Sequence, residues 1–118
     1  MPDENELIRI ERRGDVACVY FVHADVERTD LPLIDAQIRQ LIDEADSPKL
    51  IISFKDVRYM STVMLGTVIG VNKWVRQKGG QLRLSDLGPH LRSLFEVSGL
   101  TRVFEFHDTA ASAVKSLA

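Results

Sequence analysis

The sequence predicts an α/β fold in which an N-terminal β-hairpin opens a mixed, largely parallel sheet accompanied by about four helices. Three observations lead there. The β-prone runs "LIRIE" at 7–11 and "VACVYFV" at 16–22 are separated by "RRGD", whose glycine supplies a turn. The run "KLIISF" at 49–54 is almost continuously apolar, the pattern of a central strand covered on both faces. From there to the end, strand-like and helix-like segments alternate, the order that a parallel sheet with crossover helices requires.

Each element has a local cause. After the hairpin, Thr29 or Asp30 can cap a helix that tolerates Pro32 in its first turn. Ile34, Ile38, Leu41, Ile42 and Ala45 recur at helical spacing and define its buried face, and "DSP" at 46–48 stops it. Strand 49–54 should bring Leu50, Ile51, Ile52 and Phe54 into the core. A loop at 55–60 leads to a helix from about Thr62 to Lys78, closed by Gly79–Gly80. "QLRLSD" at 81–86 alternates as a strand. A helix from Asp86 to Val97 turns Leu91, Leu94 and Phe95 inward and ends at Gly99. "RVFEF" at 102–106 reads as the last strand, and Asp108 as the cap of a closing helix with Ala113, Val114 and Leu117.

With 118 residues the expectation is one domain over 1–118, large enough for a core and too small for two. A net charge of −2 leaves no electrostatic footprint for nucleic acid. The segment "MPDENELIRIERRGD" is charged and unlike a signal peptide. The longest uncharged segment, 59–72, is shorter than the roughly 20 residues that span a bilayer. A cytoplasmic location without membrane insertion is expected. Cys18, the only cysteine, sits in an apolar run and reads as a small buried hydrophobe. His23, His90 and His107 lack ligand-like spacing, so no metal, cofactor or catalytic set is expected. Gly79–Gly80 reads as a helix stop, since no lysine-containing phosphate loop follows.

The most informative stretch is "VRYMSTVMLGTVIG", Val57 to Gly70, which places Ser61 and Thr62 at the start of a helix and at the carboxyl end of a strand. That edge is where ligands and partners meet open α/β sheets. Free N–H groups and the helix dipole favour a phosphate there. One hydroxyl suffices for a cap, and no base stands beside either to make it a nucleophile. Either both are structural, or one is the substrate of a kinase.

The stretch "DVRYMSTVMLGTVIGVNKWVRQKGGQLRLSDLGPHLRSLFEVSGLTRVFEF" resembles the core of a STAS domain, the fold of bacterial anti-sigma factor antagonists. That family's pattern is an aromatic and an aliphatic residue, Asp-Ser-Ser-Gly-Leu-Gly, a helix, Gly-Gly, a strand, a helix with Leu-x-x-x-Gly-Leu, and a Phe-containing strand. Tyr59–Met60, Leu65–Gly66, Gly79–Gly80, "FEVSGL" at 95–100 and Phe104 fall at matching positions, and the resemblance is clearest over 50–118. Ser61 stands at the family's Asp, Thr62 at its phosphorylatable Ser, Val63 at the second Ser and Met64 at the Gly.

The resemblance therefore implies a STAS-like fold and a non-catalytic anti-sigma factor antagonist. Its partners would be an anti-sigma factor with serine/threonine kinase activity and a serine/threonine phosphatase. Thr62 is the implied phosphoacceptor, with Ser61 a second candidate by chemistry. The partner-binding surface is expected to include Tyr59, Met60, Ser61, Val63 and Met64, with Val63 and Met64 partly exposed beside Thr62. Asp25, Glu27 and Asp30 are either a solvated loop and cap, or a contact for a basic kinase surface through Asp25. Trp74 is either packed or an exposed anchor. The alternative function is a non-catalytic STAS scaffold subunit in a larger signalling complex or transporter assembly. The lack of a sensor segment within 118 residues favours the antagonist over multidomain forms of that alternative.

Overall fold

A computed structural model describes residues 6–117. Residues 1–5, part of the charged N-terminal segment, and residue 118 belong to the expected 1–118 domain but lie outside the described residues. Strands β1 (Ile8–Arg13) and β2 (Val16–Phe21) form the expected antiparallel hairpin. Its two-residue turn places Gly14 at φ +64°, a conformation that costs glycine nothing. β3 (Lys49–Ser53), β4 (Gln81–Ser85) and β5 (Glu105–His107) then add in parallel, giving the spatial order β1-β2-β3-β4-β5. Charged Arg9, Glu11, Arg12 and Arg13 occupy the edge strand β1, where they discourage pairing with another sheet.

Helices α1 (Leu31–Glu44), α2 (Thr62–Gln77) and α3 (Pro89–Val97) bury their apolar stripes on one face of the sheet. Ile34, Ile38 and Ile42 of α1 face Val68, Val71 and Val75 of α2, over Val19, Leu50, Ile52 and Leu84. Burial of each such side chain stabilises the fold by about 1.5–3 kcal/mol. Phe95 of α3 packs edge-on against Phe104 and Phe106, with ring centroids 5.5 and 5.3 Å away. Among the described residues the other face is covered only by α4 (Ala110–Ser116), whose Ala113, with Leu117, packs on Val16, Cys18 and Ile51. β3 is thus apolar on both sides, with Leu50 and Ile52 in the larger core, joined there by Phe54 just after the strand, and Ile51 in the smaller.

Cys18 is fully buried, and that burial pushes its thiol pKa up. A thiol-reactive dye should label native protein only as fast as the fold opens, and label urea-unfolded protein at once; rapid native labelling would contradict this packing.

Four local expectations need correction. α1 begins after a 3-10 turn at Arg28–Asp30, and Asp30, at its N-cap position, makes no side-chain cap bond. β4 ends at Ser85 and α3 starts at Pro89, because Asp86 adopts φ +61° and accepts hydrogen bonds from buried Ser53 Oγ (2.8 Å) and Ser85 Oγ (2.7 Å). The last strand begins at Glu105; Arg102–Phe104 form a turn in which Phe104 faces the core. The cap of α4 is Thr109, not Asp108: its Oγ1 accepts from Ser112 N–H at 3.1 Å within a capping box. At the close of α2 the expectation holds. Gly79 takes φ +70°, and a Cβ on Gly80 would collide with the Pro48 carbonyl oxygen.

Candidate functional site

The carboxyl end of β3 delivers the chain into loop 54–60, which two buried anchors, Val57 and Met60, hold against the core. Ser61 then caps α2 with extended backbone, its Oγ accepting from Met64 N–H at 3.1 Å. The next amide in line, Leu65 N–H, is taken by the Ser61 carbonyl at 3.0 Å. Thr62 is the first helical residue and is exposed, and its hydroxyl makes no hydrogen bond among the described residues. The amides of Thr62 and Val63 likewise have no protein acceptor among the described residues, as the first turn of a helix dictates. The two adjacent hydroxyls therefore have different work: one is spent on the cap and the other faces solvent.

The loop after β2 runs beside this segment. Arg58 N–H donates to the Ala24 carbonyl at 3.0 Å, and Asp25 and Tyr59 form an isolated parallel β-bridge. Arg58 also reaches Asp25 Oδ2 at 3.2 Å, an exposed pair that contributes little to stability. Asp25, 34 residues before Tyr59 in sequence, is thereby placed beside that residue, which stands two residues before the helix cap Ser61. Tyr59 is 56% exposed and Val63 41% exposed. Nothing in the sequence around Asp25 announces the bridge, because a single cross-strand pair leaves no periodicity.

Met60 and Met64 do not belong to this surface. They are 3% and 1% exposed, and both lie in the main core. The expectation that Met64 is partly exposed is corrected. Helix geometry gives the reason, since Met64 stands four, seven and eleven residues before Val68, Val71 and Val75 and shares their stripe. That spacing was available in the sequence. Val63, one position earlier, points away and remains accessible.

Sequence reasoning missed a cleft of about 460 Å³ that runs from Val63 between α1 and α2. Gly66 and Gly70 form part of its wall, where an added Cβ would meet nothing within 4 Å. Trp74 is packed rather than free. Its indole N–H donates to Asp43 Oδ1 at 3.1 Å, and the Arg39 guanidinium lies 4.5 Å from the ring centroid, tying α2 to α1. His23 and His90 are exposed and apart, while His107 sits 3.1 Å from Glu105 on β5.

Ser61→Ala removes the cap while leaving Thr62 in place. It should lower unfolding free energy by about 1 kcal/mol in urea titrations. A change near zero would show that the Ser61–Met64 bond does not hold the first turn.

Comparison with known proteins accords with this architecture. A protein described as an anti-sigma F factor antagonist from Paenibacillus polymyxa is 26% identical over 85 residues, covering 72% of this chain and 73% of its own length. An anti-sigma-factor antagonist (STAS) domain protein from Planctomyces limnophilus superposes with a TM-score of 0.85 at 17% identity, over 92% of this chain and 96% of that one. The Bacillus cell fate determinant SpoIIAA in its phosphorylated form gives a TM-score of 0.72 at 18% identity, over 94% and 99%. No described helix is long and apolar enough to cross a membrane. Residues 8–113 match the STAS domain, and with the hairpin, parallel sheet and α2 capped beside an exposed hydroxyl, the chain belongs to the STAS domain family.

Proposed function

We infer that this chain is an anti-sigma factor antagonist that docks an anti-sigma factor with serine/threonine kinase activity and is released when that kinase phosphorylates Thr62. The docking surface comprises Tyr59, Ser61, Thr62 and Val63, with Asp25 beside them. A serine/threonine phosphatase resets the switch, and the chain contributes no catalysis of its own. The observation that carries this reading is the division of labour at α2. Ser61 Oγ is engaged by Met64 N–H, leaving Thr62 as the exposed hydroxyl at a helix terminus with unpartnered amides among the described residues. A phosphate added there meets the positive end of the dipole, so the modification is compatible with the fold. Relatives described as anti-sigma factor antagonists, and a fold neighbour solved in a phosphorylated form, support the reading.

The test is phosphorylation by co-encoded anti-sigma factor kinases, with the modified site mapped by mass spectrometry. Wild type and Ser61→Ala should be modified at residue 62, and Thr62→Ala should not. Modification of Thr62→Ala but not of Ser61→Ala would move the acceptor to Ser61. If no kinase modifies either residue, the scaffold-subunit reading takes precedence. One feature favours that second reading: the first turn of α2 has no acidic residue, Ser61 standing where the family carries Asp.

A further inference from the structure

Among the described residues Asp86 is the only one other than glycine with a positive φ, at +61°. Glycine is the default residue for such a turn, and aspartate takes it less readily. What aspartate brings is a carboxylate, whose Oδ2 accepts from Ser53 Oγ at 2.8 Å and from Ser85 Oγ at 2.7 Å. The two serines stand opposite each other at the last positions of β3 and β4, and both are buried. Stability alone does not call for this trio. A glycine at 86 with alanines at 53 and 85 would leave no hydroxyl to satisfy, and removing both partners of a buried hydrogen bond is close to neutral.

The effect of the trio lies further along the chain. Because the Ser53 hydroxyl gives its proton to Asp86, its oxygen is turned to accept, and Lys55 N–H donates to it at 3.3 Å. The neighbouring Phe54 N–H donates to the Ser85 carbonyl at 3.0 Å, and Asp86 N–H to the His107 carbonyl at 3.2 Å. The first two amides of loop 54–60 are thus bound at the ends of β3 and β4. Beyond them Val57 and Met60 anchor the loop in the core, and Ser61 caps α2. The chain from β3 to Thr62 is therefore held at its entry, its middle and its exit.

We propose that Asp86 is a positioning residue for the phosphoacceptor segment. Through the Ser53 hydroxyl it orders the start of loop 54–60, and so presents Tyr59, Thr62 and Val63 to the kinase in one geometry. The inference rests on the switch at Thr62 proposed above and adds a residue from another part of the chain. When the hold is lost, only a fraction of molecules carry the loop in the docking geometry, and apparent affinity falls by that fraction. Phosphoryl transfer within the docked complex is unchanged, since neither the acceptor nor the kinase has been altered.

The test combines hydrogen exchange at the Lys55 amide with steady-state phosphorylation of the full chain by the co-encoded anti-sigma factor kinase and ATP. Asp86→Gly keeps the turn and removes the carboxylate. Exchange at Lys55 should quicken at least about tenfold, KM for this chain should rise about tenfold, and kcat should stay within about twofold. Ser53→Ala removes the acceptor for Lys55 and should act as Asp86→Gly does; it decides the matter if Asp86→Gly does not fold. Ser85→Ala leaves the Asp86–Ser53–Lys55 chain intact and should behave as wild type. Asp86→Asn should as well, because asparagine tolerates left-handed backbone and keeps a carbonyl oxygen for both hydroxyls.

A purely structural role would lower the unfolding midpoint without separating KM from kcat, so all variants are compared at a temperature where each is folded. Unchanged Lys55 exchange in folded Asp86→Gly or Ser53→Ala would overturn the inference, as would an unchanged KM despite faster exchange. A Ser85→Ala variant that matches Ser53→Ala would also overturn it, by removing the relay through Ser53. If the kinase leaves wild type unmodified, the switch itself fails and takes the inference with it. That outcome is distinct from the others, because it appears in wild type and not in the variants.

Discussion

Met64→Asp should lower unfolding free energy by about 4 kcal/mol, enough to leave a marginally stable domain largely unfolded on mild heating. Met64 is 1% exposed in the main core and shares the inner stripe of α2 with Val68, Val71 and Val75. Replacement removes the methionine's buried contacts, a loss of about 2–5 kcal/mol for truncation to Ala alone. It also forces a carboxyl group into an apolar site, where the group must either remain protonated or drag water inward. The matched control is Val63→Asp, one residue away and 41% exposed, which should stay within about 0.5 kcal/mol of wild type. Urea titrations of both variants decide the matter. If Met64→Asp unfolds at the wild-type midpoint, α2 is not seated on its Met64 stripe and the assignment of Val63 to the docking surface fails with it.

Phosphorylation of Thr62 should weaken binding to the anti-sigma factor kinase about a hundredfold, an interface penalty of roughly 3 kcal/mol. The phosphate adds about −1.5 to −2 charge at neutral pH. Within the chain that charge meets the unpartnered amides of Thr62 and Val63, so thermal stability should hold or rise slightly. The penalty then falls on the partner, which has to desolvate the phosphate or repel it. Calorimetry with stoichiometrically phosphorylated and unmodified protein measures the difference directly. Thr62→Ala should retain binding, and Thr62→Glu should reproduce only part of the loss, having less charge and fewer acceptor oxygens. Equal affinity of the two forms would leave Thr62 without a switching role. A phosphorylated form that unfolds would show that the start of α2 cannot carry the charge.

Most of the fold was legible in the chain. The apolar run at 49–54 had the pattern of a strand buried on both faces, and Leu50, Ile52 and Phe54 lie in one core while Ile51 lies in the other. The stripe of Ile34, Ile38 and Ile42 set α1, and Gly79–Gly80 set the end of α2. Ser61 and Thr62 were placed correctly at a helix start, since helix capping is local chemistry that a few neighbouring residues determine. The burial of Met64 was legible as well, because it stands four residues before Val68 on the same helical stripe.

The sequence by itself determined the order of strands and helices, the stripes that face the core, and the pair of hydroxyls at the start of α2, because all of these depend on residues close along the chain. Tertiary structure alone decided the rest. Asp25 joins Tyr59 through one backbone bridge between two loops, and Asp86 turns left-handed to accept the hydroxyls of Ser53 and Ser85 from two strands. Phe104 enters the core from a turn, and β5 pairs with β4 only from Arg83 onward, leaving the Gln81–Leu82 edge without a strand beside it on that side. Each of these depends on where separately encoded elements come to rest against one another, and periodicity within one element carries no record of its neighbour's position.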